Sequence, residues 1–391
     1  KCLTTGYAWA VYHRSLGNTQ GLNLNATNAA FNASYYWNNT SPTSTDFTLS
    51  GNANVNGSDG DTYVAYIFAH NDGDGDFGPT GDQDIIKCGS YTGTGATGNN
   101  VNLGFEPQWL MIKRTDSTGN WQIADVMRGM PNNGGAGAYQ RLSANLSDAE
   151  VNGQEGPIPT STGFVLNSTS TDTNGNGNTY IYIAIRRPTA VPESATEVFA
   201  TAFDAGATDP TYVSGFVADM GIQTNTGGYN KRVSSRLTSG RFLEADNTGA
   251  EGSSTSNYTW DFMGGWNNQT INSTWLSWMW KRAPNFFDIV AYSGNGSKQT
   301  IAHNLGVAPE MMWIKVRSTT QHWAVYHPDL PGSGKFISLN NNWDGNNTNS
   351  TFWDGETPTS TTFSVGATGV NNNYVNGSPN TYIAYLFATL A

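Results

Sequence analysis

The chain repeats itself, and that repetition constrains its fold more than any other feature. Ala8-Trp9-Ala10-Val11-Tyr12-His13 returns as His322-Trp323-Ala324-Val325-Tyr326-His327. Tyr36-Trp37, Ser41-Pro42-Thr43-Ser44-Thr45 and Phe47 return as Phe352-Trp353, Thr357-Pro358-Thr359-Ser360-Thr361 and Phe363, and Thr62-Tyr63-Val64-Ala65-Tyr66-Ile67-Phe68-Ala69 returns as Thr381-Tyr382-Ile383-Ala384-Tyr385-Leu386-Phe387-Ala388. Between them, Tyr91-Thr92-Gly93-Thr94-Gly95 and Trp109-Leu110-Met111-Ile112-Lys113 answer to Tyr292-Ser293-Gly294-Asn295-Gly296 and Met311-Met312-Trp313-Ile314-Lys315. That copy closes with Thr179-Tyr180-Ile181-Tyr182-Ile183-Ala184-Ile185, and a more divergent one closes with Thr274-Trp275-Leu276-Ser277-Trp278-Met279-Trp280. The divisions are an incomplete module over 1–70, an acidic Gly-rich linker over 71–84, a second module over 85–188, a divergent third over 189–284 and a complete fourth over 285–391. Lys1 aligns with Lys315, so the first module lacks everything equivalent to Phe287 through Ile314, which reads as two strands. Such a module has open edges, and the expectation is that upstream residues or a neighbouring chain supply the missing strands, as in donor-strand complementation.

Short β-branched and aromatic runs alternate with clusters of Gly, Asn, Ser and Thr, the pattern of antiparallel strands joined by turns. With 45 Gly in 391 residues and Asn about as frequent, an all-α fold is excluded, while 12% aromatic residues supply the apolar area that a disordered chain lacks. The expected fold is all-β, a tandem array of antiparallel β-sandwich (jelly-roll or Ig-like) modules, with a β-propeller as the alternative. The terminal strand of each module is apolar on both faces, as Tyr63, Ala65, Ile67 and Val64, Tyr66, Phe68 show, which predicts a central strand. Asn56-Gly57, Asn152-Gly153, Asn295-Gly296 and Asn376-Gly377 predict tight turns with positive φ.

A net charge of −11, with no clustered Lys and Arg, removes the electrostatic footprint of a nucleic-acid binder. No apolar run reaches the ~20 residues of a membrane-spanning helix. The chain opens on Lys1-Cys2-Leu3, which reads as a processed product or a window of a longer polypeptide. Cys2 and Cys88 fall in strands where the other copies carry aliphatic residues, and they read as small buried hydrophobes. Gly93-Thr94-Gly95-Ala96-Thr97-Gly98 and Gly73-Asp74-Gly75-Asp76-Phe77-Gly78 match G-x-G-x-x-G, but neither opens a helix, so both read as turns.

Candidate sites are few. Asp72, Asp74 and Asp76 alternate like the first half of a calcium loop, with Asp82 and Asp84 placed to close it, although Phe77 replaces the usual Gly. This gives Ca²⁺ as the one candidate cofactor, against a solvated acidic linker. The histidines His13, His70, His303, His322 and His327 show no metal spacing, and the second module has Asp125 where His13 and His327 stand, which speaks for structural roles. No catalytic residues are assigned, and the carboxylates Glu244, Asp246 and Asp261 are the weak alternative of a glycan-cleaving enzyme. Trp9, Trp121 and Trp323 are equivalent and read as packing residues, whereas Trp275, Trp278 and Trp280 are dense enough for a glycan-stacking or module-packing surface. Candidate glycosylation sequons start at Asn25, Asn32, Asn38, Asn56, Asn145, Asn167, Asn257, Asn268, Asn272, Asn295, Asn346, Asn349 and Asn376.

The strings from Ala283 through Gly296, from His303 through Lys315 and from Ile112 through Trp121 resemble the tandem modules of virion structural and tail-fibre-like proteins of tailed phages infecting aquatic bacteria, including cyanophages. The resemblance spans nearly the whole chain and implies a non-enzymatic part of a virion appendage or extracellular fibre. The expected partners are copies of the chain itself, with strand exchange at the incomplete first module as one route, and host-surface carbohydrate. The alternative is a bacterial surface adhesin or extracellular filament subunit.

Overall fold

The computed structural model describes residues 1–389 apart from 58–59, 79, 129, 131–138, 155, 207–208, 239, 254–256, 269–272, 332–333, 343–351 and 367–371. The chain is mostly β, built of antiparallel sheets with a few single-turn helices, and among the described residues none of the sheets closes on itself. It divides into two compact units: Lys1–Asp125 with Tyr139–Pro159 and Gly163–Arg187, and Val126–Ala138 with Thr160–Thr162 and Pro188–Ala391. The first unit takes in residues 1–70, the linker and most of 85–188, and the second takes in 189–391 with two short segments of 85–188, a grouping that the module boundaries alone do not announce.

In the first unit, the second module forms a six-stranded sheet in the order Ile86–Thr92, Thr179–Arg186, Pro107–Arg114, Trp121–Asp125, Tyr139–Ser143, Val151–Gln154. The terminal strand Thr179–Arg186 is central, with a strand hydrogen-bonded on either side, as its two apolar faces require. A smaller sheet of Pro157–Thr160, Gly163–Leu166 and Asn99–Asn102 accompanies it. Phe164 of the small sheet stands edge-on to Tyr182 and Tyr91 of the large one, with ring centroids at 5.7 and 6.0 Å. The first module is slighter: Ala10–Val11, Gln20–Asn23 and Phe31–Asn32 form one small sheet, and Cys2 bridges to Tyr63.

In the second unit, the third module repeats this order with Phe199–Phe203, Trp275–Trp280, Met220–Asn225, Arg232–Ser235, Arg241–Glu244 and Gly252–Ser253. The fourth again places its terminal strand, Thr381–Phe387, between Phe287–Ser293 and Met311–Val316, with Ala324–Tyr326 beyond. Tyr382, Ile383, Ala384 and Leu386 are completely buried. The buried faces Val290, Ile314, Val316, Phe352, Phe363 and Tyr382 make one continuous core.

Only one of the four Asn-Gly pairs forms the expected turn. Gly296 has φ of 74°, but Asn152-Gly153 lies inside the strand Val151–Gln154, and Gly57 and Gly377 keep ordinary backbone angles. At Asn376-Gly377 the asparagine side chain holds the corner, its Oδ1 accepting from Asn295 N at 3.0 Å, and at Asn56-Gly57 the Gly57 N–H donates to the Tyr63 hydroxyl at 2.6 Å. Cys2 and Cys88 are both free; Cys2 is buried and Cys88 half-buried, and burial pushes the Cys88 thiol up to about 11, which keeps it protonated and unreactive.

Candidate functional site at the module junctions

The acidic linker does not gather its carboxylates. Both oxygens of Asp84 accept backbone N–H groups, from Gly73 at 2.8 Å and Gly75 at 3.0 Å, while Asp74 accepts from the Asp72 amide at 2.9 Å. Asp72 pairs with Lys87 at 3.0 Å, and Asp82 accepts from the Thr80 hydroxyl. Among the described residues no three His, Cys, Asp or Glu side chains are grouped to hold a metal ion. Carboxylates that spend their lone pairs on the loop's own amides shape that loop, so the expectation of a Ca²⁺ site on Asp72, Asp74, Asp76, Asp82 and Asp84 finds no assembled ligand set.

The three clustered tryptophans do not share an open platform. Trp275 is buried in a cluster with Tyr212, Tyr258 and Trp266, whereas Trp278 and Trp280, on the opposite face of the strand, pack against Phe287 and its neighbours. Trp280 lies between Phe199 and Phe287, with centroids at 5.0 and 6.4 Å. Two histidines act as turn fasteners: Nδ1 of His13 accepts from Ser15 N and Nδ1 of His327 from Asp329 N, each at 3.2 Å. Glu244 and Asp246 face Arg232 and Lys231 at 3.6 and 3.7 Å, and Asp261 stands exposed.

Two sequon asparagines belong to the interior. Asn268 donates to Gln223 Oε1 at 2.9 Å and Asn376 to Gly366 O at 2.9 Å, and both side chains are buried, so neither is a glycan acceptor in the folded chain. Asn25 and Asn145 use their side-chain oxygens to accept from the backbone N–H of Trp9 and Trp121, at 2.9 and 2.8 Å. Asn25, Asn32, Asn38, Asn56 and Asn295 are exposed and Asn145, Asn167 and Asn257 half-buried, while Asn272, Asn346 and Asn349 lie outside the described residues.

What the structure does bring together is a junction that occurs twice. In the first unit the indole Nε1 of Trp121 donates to Asn23 O at 2.9 Å, the ammonium of Lys113 reaches Thr27 O at 3.4 Å, Gly119 N donates to the same Thr27 O at 2.9 Å, and Ala30 N donates to Thr115 O at 2.8 Å. In the second unit Trp323 Nε1 donates to Glu244 O at 2.8 Å, Lys315 reaches Thr248 O at 3.3 Å, Gln321 N donates to Thr248 O at 2.9 Å, and Glu251 N donates to Arg317 O at 2.8 Å. Both times a hairpin of the leading module lies on the sheet of the trailing one. Both lysines are completely buried, and desolvation pushes each ammonium down to about 8. Apolar packing seals the junctions: Leu22, Trp121 and Ile181 in the first, and Met220, Ile222, Val233, Leu237 and Leu243 against Phe287, Ile289, Trp323, Ile383 and Tyr385 in the second.

Sequence reasoning found the equivalence of Trp121 and Trp323 but missed the two lysines, which sit at matched places in Met111-Ile112-Lys113 and Trp313-Ile314-Lys315. A charged residue recurring inside a strand that is otherwise buried was the available signal. Residues 1–188 and 220–391 match the model of the family described as Domain of unknown function (DUF7483). No curated protein and no solved structure matches the chain.

Proposed function

We propose that this chain, which belongs to the DUF7483 family, is a non-enzymatic structural protein of a virion appendage or extracellular fibre, assembled from β-sandwich modules. The observation that carries the reading is the repeated junction. The same four hydrogen bonds and the same Trp and Lys clip one module to the next in both units, although the leading modules differ widely in sequence. A contact that recurs between successive modules is what an extensible array needs, since each module then buries a face that it cannot bury alone. The smaller sheet of the second module facing its larger one through Phe164, Tyr91 and Tyr182 supports the sandwich reading. Negative-stain microscopy and sedimentation of the purified chain test the proposal: oligomers or filaments are expected, and a compact monomer at every concentration overturns it.

A further inference from the structure

In the second, third and fourth modules the strand that flanks the terminal strand is an edge of its sheet, and in two of the three its outer side is closed. In the second module the strand Ile86–Thr92 turns the backbone groups of Ile86, Cys88 and Thr92 away from the sheet, and neighbouring residues take them up. Asn71 N donates to Ile86 O at 2.9 Å, Cys88 N donates to His70 Nδ1 at 3.0 Å, and the Asn99 side chain donates to Thr92 O at 3.0 Å. The fourth module closes Phe287–Ser293 in the same way: Ala283 N donates to Phe287 O at 3.0 Å, Arg282 to Ile289 O at 2.8 Å and the Gln299 side chain to Ser293 O at 3.1 Å. Folded proteins cover such edges because unpaired strand groups recruit another strand.

The equivalent strand of the third module, Phe199–Phe203, is open. Among the described residues it pairs with Trp275–Trp280 alone. Asp204 N donates to Trp275 O at 2.9 Å and Lys281 N to Val198 O at 2.8 Å, so Val198, Ala200, Ala202 and Asp204 spend their backbone groups on that neighbour. Those of Phe199, Thr201 and Phe203 point outward, and among the described residues nothing bonds to them. The side chains alternate as well: Ala200 and Ala202 pack against the cluster of Tyr212 and Trp266, while Thr201 is exposed and Phe203 is 60% exposed. No charge and no proline interrupts the strand, and its sequence, Phe-Ala-Thr-Ala-Phe, reads the same in both directions.

We propose that Phe199–Phe203 is a self-recognition edge whose occupant is the same strand of a second copy of the chain, antiparallel about a two-fold axis through Thr201. A palindromic strand is complementary to itself, which is what an isologous two-fold contact requires. At this register Thr201 meets Thr201 and Phe199 meets Phe203, and each outward-pointing residue exchanges its N–H and C=O with the residue opposite. The exposed Phe203 gains the second copy's Phe199 as a cross-strand neighbour, beside the contact that Phe199 already makes with Trp280 at 5.0 Å between ring centroids. Glu197 falls opposite Ala205 and Asp204 opposite Val198, so no like charges meet. The two six-stranded sheets join into one. Such a contact closes on itself, so it yields a dimer and is separate from the end-to-end contacts by which a fibre grows.

The test is sedimentation velocity of the full chain across a dilution series, where a reversible dimer is expected. Thr201→Lys and Thr201→Glu should each raise the dimer dissociation constant about fivefold or more, because residue 201 meets its own copy across the axis and like charges then face each other. Mixing the two variants should bring the affinity back to within about threefold of the unmodified chain, since the facing charges are then opposite. Circular dichroism of both variants, altered at an exposed position, checks that the fold persists. Monomers at every concentration overturn the proposal, as do dimers indifferent to both substitutions, or a mixture that dissociates as readily as either variant alone. Filaments that persist unchanged in both variants without the dimer step refute this pairing and leave the fibre reading standing, so the two failures are distinct.

Discussion

The two junctions share a hydrogen-bond scheme but not a periphery. Where the second unit has Arg317 and Glu251, closed into a bidentate pair with both contacts at 2.9 Å and side-chain exposures of 2% and 4%, the first has Thr115 and Ala30. The apolar seal also grows from a small cluster around Leu22, Trp121 and Ile181 to a larger one reaching from Met220 to Tyr385. The constant elements are a tryptophan N–H and a lysine ammonium meeting leading-module carbonyls. The register of the contact is thus fixed by backbone groups, which any leading sequence possesses, while the side chains around it are free to set its strength.

The largest expected effect tests that division. Glu251→Ala leaves the Arg317 guanidinium buried without its carboxylate, and unfolding of the second unit in urea should lose about 3–5 kcal/mol. Adding Arg317→Thr, which gives this junction the residues of the first, should restore part of the loss, because it removes the unpaired buried charge, while the smaller side chains and Arg241, which also faces Glu251 at 3.9 Å, keep the recovery incomplete. A double variant as unstable as the single one would mean that the ion pair itself holds the register. A smaller effect tests the constant part: Trp121→Phe and Trp323→Phe each leave a leading-module carbonyl unbonded, at a cost of about 1–3 kcal/mol. The two losses should agree within about 0.5 kcal/mol if the shared hydrogen bond, and not the differing apolar seal, dominates.

Much of the fold was legible in the sequence, and the reasons are local. Two apolar faces on Tyr180 through Ile185 and on Tyr382 through Phe387 required neighbours on both sides, and both strands are central. The pairing of modules was not legible, because the hydrogen bonds that fix it are accepted by the main-chain carbonyls of Asn23, Thr27, Glu244 and Thr248, which leave no mark on residue identity. Asn174 and Asn376 looked like ordinary members of an Asn-rich chain, yet their side-chain oxygens accept from Thr94 N and Asn295 N, in turns that arrive from roughly eighty residues away in sequence. In the Asp-rich loop the spacing matches an ion site, while amides two to eleven residues away bond to the oxygens of Asp74 and Asp84, a use of carboxylates that spacing alone does not reveal.

The buried lysines give the smallest and most general expectation, a pH dependence common to both junctions. Desolvation lowers Lys113 and Lys315 from the ordinary 10.5 to about 8, even though Asp172 and Asp116 favour the charged form of one and Glu251 that of the other. Below pH 8 both lysines are protonated in the folded and the unfolded chain, and the cost of burying the charge is fully present. Between pH 8 and 10 the unfolded chain holds the proton that the folded chain has released, so stability rises with pH, by roughly 1.4 kcal/mol per pH unit for each lysine at most. Above pH 10 the trend reverses, because burial holds the hydroxyls of Tyr292 and Tyr382 above their ordinary value and their protonated folded forms lose ground as the unfolded chain ionises. Urea midpoints at pH 8, 9 and 10 should therefore climb, and Lys113→Met and Lys315→Met should each flatten the climb in their own unit while leaving the other unchanged. A flat profile in the unmodified chain would mean that the ammonium groups keep their protons at the junction; a slope in one unit alone would mean that the two clips, alike in geometry, differ in how completely they exclude water.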